Sequence, residues 1–305
     1  QFLHRGKSHD TGRPLPNRNR QPTGTIRSLR SGVFAVQSLL ERMNSPPVAL
    51  TIAGSDCSAG AGLQADLKTF HHFGVHGLTA ATCVVAETPN EVRSIHAIPP
   101  AILQDQIEIL LASYPVAAIK TGMLFSKPHV VAVTEILARH PDIPLVVDPV
   151  MIASTGDPLL ERDAIDAYRD RLLPLADLIT PNLDEAAELD GASLASEADI
   201  EAAAARLAER FATSVLLKGG HLPGPACGDY LFDGKDGRWF RSPRIDTPAS
   251  HGTGCTLSAA ITSGLAMGSP MPEAVGKAKD FLNLALSRSL GWGEVAMINQ
   301  GLDLH

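Results

Sequence analysis

A β-strand followed by a helix, repeated six times, is the pattern of a mostly parallel sheet covered on both faces by helices, and this 305-residue sequence predicts that α/β fold. Two observations carry the reading. From Pro47 onward, short apolar β-branched runs punctuated by Gly, Pro or Asp alternate with longer amphipathic segments. Neither an internal repeat nor an interdomain linker interrupts the alternation, so the body reads as one domain.

The buried-strand runs are Val48–Ala53, Leu78–Ala86, Val116–Lys120, Leu145–Asp148, Leu178–Thr180 and Val215–Lys218. Between them Leu63–Phe73, Ala101–Ser113, Pro128–His140, Asp163–Leu172 and Ala198–Phe211 read as helices. Asp229–Asp233 and Trp239–Ser242 flank Gly234-Lys235-Asp236-Gly237, which predicts a hairpin. Helices at Gly254–Met267 and Pro272–Leu290 follow. The expected division is a leader at 1–42, a domain at 43–291, and a tail without strong pattern at 292–305.

In open parallel sheets, ligands sit outside the carboxyl ends of the strands. The residues following the six runs are Gly54-Ser55-Asp56, Glu87-Thr88, Lys120-Thr121-Gly122, Asp148-Pro149, Thr180-Pro181-Asn182 and Lys218-Gly219-Gly220-His221. Turn formation explains the Gly and Pro but not the lysines, acids and Asn at the same edge. A binding site is expected there.

The strongest motif is His251-Gly252-Thr253-Gly254-Cys255-Thr256, a glycine turn running into a helix. Free N–H groups at a helix N-terminus, aligned with its dipole, attract an anion, and glycines let a phosphate approach closely. Cys255 at that terminus is expected to have a lowered thiol pKa and to serve as a general base. The alternative is a small buried hydrophobe. Lys218 precedes two glycines and suits a phosphate; Lys120 reads either as a similar cation or as a snorkelling cap. Asn182 and Glu185, three apart at a helix start, can hold the water shell of Mg²⁺ or form a capping box, and the two are compatible. The Gly60-Ala61-Gly62 turn fails the dinucleotide frame because Ala65 follows Gly62 by three, so NAD is not indicated. Asp66, one turn into the next helix, is placed to reach a substrate hydroxyl.

Charge is divided unevenly. Residues 1–42 hold eight basic and two acidic side chains, a net +6, and the remaining residues hold 18 basic and 31 acidic, a net −13. So acidic a body argues against nucleic-acid binding over its surface. No apolar run approaches the roughly 18–20 residues that cross a membrane. The basic leader has the composition of an organellar transit peptide, but Met43 stands just before the patterned region and makes an extension without a role the simpler reading. A cytoplasmic protein is expected, or an organellar one if the leader is a transit peptide. Cys57, Cys83, Cys227 and Cys255 have no metal-like spacing.

AGSD-x-S-x-GAG-x-QADLKT, K-x-GML, DPVM, TPN-x-x-E, KGGH and HGTGCTLSAA occur in this order from about Val48 to Leu290. In these motifs the sequence resembles the hydroxymethylpyrimidine/phosphomethylpyrimidine kinases of thiamine biosynthesis, within the ribokinase-like superfamily. The resemblance implies a three-layer α/β/α fold, ATP and Mg²⁺ as cofactors, a homodimer, and successive phosphorylation of 4-amino-5-hydroxymethyl-2-methylpyrimidine and its monophosphate. By motif, Cys255 matches the catalytic cysteine and Gly252, Thr253 and Gly254 the anion hole. Lys218 matches the ATP-phosphate lysine, Asp66 a substrate-side acid, Gly54 and Met123 the pyrimidine pocket, and Asn182 and Glu185 the Mg²⁺/phosphate pair. Pyridoxal or pyridoxine kinases with the same cysteine motif are the alternative. A lid is expected around Pro223–Gly228.

One position departs from the resemblance. Where the family usually has Ala-Gln after the second strand, this sequence has Ala86-Glu87. An amide donates and accepts, while an ionised Glu only accepts. A retained pyrimidine with altered protonation at the pocket is the expectation.

Overall fold

The computed structural model describes residues 45–151, 160, 162–220 and 226–301. The leader lies outside the described residues, as do His221 and the first three residues of the expected lid.

Nine strands form one sheet: β1 (Val48–Asp56), β2 (His76–Thr88), β3 (Glu91–Ala97), β4 (Val116–Thr121), β5 (Leu145–Val147), β6 (Leu178–Ile179), β7 (Ser214–Lys218), β8 (Ala226–Phe232) and β9 (Gly237–Pro243). Their order is β3-β2-β1-β4-β5-β6-β7-β8-β9. The six runs expected from the sequence are the six parallel strands, β1, β2 and β4 to β7. The expected hairpin is the antiparallel pair β8–β9, and Ala226–Gly228, expected in the lid, belong to β8. β3 was not expected. It is an antiparallel edge strand whose residues are all exposed or half-buried, so it carries no apolar run.

Helices α1 (Gly62–His72), α2 (Pro100–Ser113), α3 (Lys127–Leu137), α4 (Arg162–Ala167), α5 (Leu183–Asp190), α6 (Glu197–Phe211), α7 (Thr253–Ala266) and α8 (Met271–Ser287) complete the layers. Alternation along each strand decides which layer a side chain meets. Leu50 and Ile52 of β1 pack in one core with Leu103 and Ile107 of α2, Val133 and Ile136 of α3, and Leu207 of α6. Ala49 turns the other way, into a cluster with Phe70 of α1 and Ala259 of α7. Further along that face Val146, Leu178 and Leu216 meet Leu257 and Ile261 of α7 and Val275 of α8. Each such large side chain contributes roughly 1.5–3 kcal/mol by leaving water.

The expected helix at Asp163–Leu172 keeps α-helical form only to Ala167; Tyr168–Leu172 winds wider and Leu173–Leu175, around Pro174, winds tighter. Proline has no N–H to continue the helical ladder, which ends the element there. The C-terminal residues also differ from expectation. A small hairpin, β10 (Leu290–Trp292) and β11 (Val295–Met297), leads into Ile298, Asn299 and Gln300, all buried. No described helix is long and apolar enough to cross a membrane.

The strand order reverses around β1, which has β2 on one side and β4 on the other. A crevice at the carboxyl ends of such strands is where open α/β sheets bind ligands.

Candidate active site

A cavity of about 670 Å³ opens at that edge. Gly54, Glu87, Met123, Asn182, Glu185, Lys218, Gly252, Thr253, Gly254 and Cys255 line it, and Asp66 does not.

Asp66 lies beneath the cavity instead. The β1–β4 register sets Lys120 opposite Thr51, and α1 brings Asp66 onto the pair. Lys120 Nζ is 2.7 Å from both carboxylate oxygens of Asp66, and Thr51 Oγ1 donates to Oδ2 at 2.6 Å. Both charged side chains are fully buried. The reach of Asp66 to a substrate hydroxyl, expected from its helix position, is therefore corrected: its oxygens are committed to Lys120 and Thr51. Lys120 is likewise no snorkelling cap. Burial opposes its charge, but Asp66, Cys255 and Asp148 hold its pKa above the ordinary lysine value.

Cys255 begins the cavity's other wall, in the first turn of α7. Gly252, the N-cap, adopts φ +83°, and no side chain caps the helix, which leaves its N-terminal amides without side-chain partners. The expected lowering of the thiol pKa is not what the site produces. Burial pushes Cys255 up to about 11; Lys120 and the Gly62 N–H pull it down, while Asp66 and Asp148 add to the rise. Desolvation outweighs the helix terminus because the thiol is enclosed.

Gly252 also lets two loops touch. A Cβ there would collide with the carbonyl oxygen of Gly60. Gly252→Ala is expected to lower the melting temperature by several degrees, since it combines a backbone clash with a disfavoured φ. An unchanged melting curve would show that the contact does not matter.

Asp56 holds the same two loops together. Its carboxylate accepts from the N–H groups of Ser58 (2.6 Å), Gly60 (3.0 Å) and Ala61 (2.8 Å), and its Oδ2 lies 3.0 Å from His251 Nε2. Burial opposes ionisation, yet these bonds bring Asp56 down to about 2. Gln300 Nε2 adds a clamp from the C-terminus, donating to Gly60 O at 3.0 Å and to Thr256 Oγ1 at 3.4 Å. Sequence reasoning missed Gln300 because nothing local marks it.

The end of the cavity near β7 is built around Lys218. Its Nζ lies 2.9 Å from Asp148 Oδ1 and 3.9 Å from Glu185 Oε2. A Cβ on Gly254 would sit 3.1 Å from that Nζ, so the glycine turn and the lysine face each other. Asp148 also accepts from Thr180 Oγ1 at 3.0 Å and Ser258 Oγ at 3.4 Å. It was missed as a site residue, although DPVM marked the strand end. Burial works against its charge, but Lys218 and Lys120 bring its pKa below the ordinary value. Asn182 and Glu185 form the capping box: Asn182 Oδ1 accepts from the Glu185 N–H and Glu185 Oε2 from the Asn182 N–H, each at 2.8 Å. Burial raises Glu185 to about 7, with Lys218 opposing and Asp148 reinforcing the rise. Gly219 is pinned in turn, its N–H donating to Asp229 Oδ1 at 3.2 Å while Lys279 Nζ holds Asp229 Oδ2 at 2.6 Å. Carboxylates grouped in this way suit a hard, hydrated cation.

A family profile described as phosphomethylpyrimidine kinase matches residues 56–299. A hydroxymethylpyrimidine/phosphomethylpyrimidine kinase of Haemophilus influenzae is 45% identical over 257 residues, covering 83% of this chain and 95% of that protein. The chain belongs to the phosphomethylpyrimidine kinase family. It is a phosphotransferase with the ribokinase-like three-layer fold. The thiamine biosynthesis bifunctional protein ThiED of Geobacter sulfurreducens is 44% identical over 246 residues, and the chain spans about half of that longer relative. Among solved structures, a Bacillus subtilis pyridoxal kinase with ADP superposes at a TM-score of 0.79 with 37% identity, covering 86% of this chain and all of that one. A phosphomethylpyrimidine kinase of Clostridium difficile superposes at 0.70 with 36% identity, covering 77% and 97%.

Proposed function

We propose that this kinase transfers the γ-phosphoryl group of ATP to the 5-hydroxymethyl group of 4-amino-5-hydroxymethyl-2-methylpyrimidine, and then phosphorylates the monophosphate to the diphosphate used in thiamine assembly. The observation that carries the reading is one cavity with a thiol and uncapped helix amides between two unlike ends. One end has Lys218, Asp148 and Glu185; the other has Gly54, Met123 and Glu87. Phosphoryl transfer needs positioning and charge neutralisation more than covalent chemistry. Lys218 draws in the phosphates, and the N–H groups of Gly254 and Cys255 receive charge developing on the transferring oxygens. Cys255 takes the proton of the attacking hydroxyl. Glu185, positioned by Asn182, would hold the water shell of Mg²⁺, which would supply charge neutralisation for the phosphates.

A second reading, phosphorylation of pyridoxal or pyridoxine, is favoured by the likeness to the Bacillus subtilis pyridoxal kinase. Steady-state kinetics with both alcohols decide between them. A larger kcat/KM for the pyrimidine is expected, and a larger one for pyridoxal would overturn the first reading. Formation of ADP must depend on the alcohol. A cytoplasmic homodimer belongs to the same proposal, and a monomer in sedimentation would remove that part of it.

A further inference from the structure

Glu87 is a polar group of the cavity that the phosphoryl-transfer chemistry leaves unused. Its backbone is fixed, because Cys57 Sγ lies 3.4 Å from its N–H and 3.3 Å from its carbonyl oxygen. The side chain lines the cavity and is half-buried, and its carboxyl hydrogen-bonds to no described residue. Acids, thiols and an imidazole stand near it. Asp56 stands at the end of β1, Cys57 follows it, Cys83 lies below on β2, and His251 precedes α7. One ligand atom each from Asp56, Glu87 and His251 falls within 4.8 Å of the others. That trio is not an open metal site, because Asp56 already spends its oxygens on three N–H groups and His251 Nε2. The one ring near Glu87 is thus turned to Asp56, and no Lys or Arg pairs with the Glu87 carboxyl among the described residues. Burial and the neighbouring Asp56 raise Glu87 to about 7, with His251 opposing.

An aminopyrimidine presents an amidine edge, a ring nitrogen that accepts beside an amino group that donates. A bare carboxylate can only accept, so it matches one half of that edge and repels the other. Adding one proton completes the match in either of two ways. A carboxylic acid donates to the ring nitrogen and accepts from the amino group, or a carboxylate accepts two parallel bonds from a protonated ring. Both arrangements hold the same number of protons and the same two hydrogen bonds, so the proton belongs to the pair.

We propose that Glu87 recognises the amidine edge of the substrate by sharing a single proton with it, so that the pocket takes up the aminopyrimidine together with one proton. The inference rests on the pyrimidine reading above and adds what selects that ring. It makes binding sensitive to pH in a defined direction. Below about pH 6 free Glu87 already carries the proton, and binding takes up little. At about pH 8 free Glu87 and the free ring are both unprotonated, so each binding event draws one proton from solvent. Affinity then falls about tenfold per pH unit above neutrality, by linkage.

The test is calorimetric titration of the full chain with the pyrimidine alcohol and no nucleotide, in buffers of different ionisation heat at about pH 6 and pH 8. Uptake close to one proton per bound molecule is expected at pH 8 and much less at pH 6. Glu87→Gln supplies donor and acceptor without a proton, so its uptake is expected to vanish and its Kd to stay level between the two pH values. Glu87→Ala is expected to bind more weakly than Glu87→Gln at both. Binding by the parent without uptake at pH 8, or equal uptake in Glu87→Gln, overturns the shared proton and leaves the pyrimidine reading standing. Absence of binding by the parent and by Glu87→Gln at both pH values overturns the two together.

Discussion

Alanine at position 255 lowers kcat by about 10²–10⁴-fold, the range for losing a positioned general base, while KM for ATP changes little. The pH profile carries the sharper expectation. With burial holding the Cys255 thiol up to about 11, only a small fraction is ionised near neutrality. That fraction rises about tenfold per pH unit, so kcat at saturating substrate is expected to climb with unit slope through the neutral range. The sign follows from a raised acid: the active thiolate gains with rising pH and levels off only beyond the folded-state pKa. A flat kcat profile, or Cys255→Ala with near-parental kcat, would remove Cys255 as the base. Because kcat is read with the alcohol saturating, proton uptake at Glu87 does not enter it.

The second large effect is structural. Asp66→Ala leaves Lys120 charged and buried without the carboxylate bonded to it, and a loss of about 3–5 kcal/mol in unfolding free energy is expected. Asp66→Asn combined with Lys120→Met removes both charges and is expected to recover most of that stability. Activity should not return with it, since the Lys120 charge also acts on the Cys255 thiol. Urea unfolding with parallel kcat measurements separates the two. Stability of Asp66→Ala within about 1 kcal/mol of the parent would mean that the pair, despite its 2.7 Å contacts, is not a tie that holds the fold.

Much of this site was legible because its parts announce themselves locally. The parallel strands are short apolar runs, and Gly54, Asn182, Lys218 and the Gly252–Cys255 turn each stand at the end of a run or the start of a helix, where order along the chain already implies position at the edge. What stayed hidden depends on distant partners. Asp148 is an ordinary strand-terminal acid until Lys218, 70 residues later, lies beside it. Asp66 looked like a substrate contact because its helix position was readable and the arrival of Lys120 was not. The rise of the Cys255 pKa comes from enclosure, which a motif cannot express, so the helix-terminus argument gave the wrong direction. β3 escaped because an exposed edge strand needs no apolar alternation.

The clamp from Gln300 to Gly60 and Thr256 has a consequence for synthesis. The loop after β1 leaves the ribosome 240 residues before Gln300, which ties it to α7. Until Gln300 clears the exit tunnel, a nascent chain lacks one of the contacts that join the loop after β1 to the turn before α7, although Asp56 and His251 can already meet. A chain stopped a few residues before position 300 would lack that clamp.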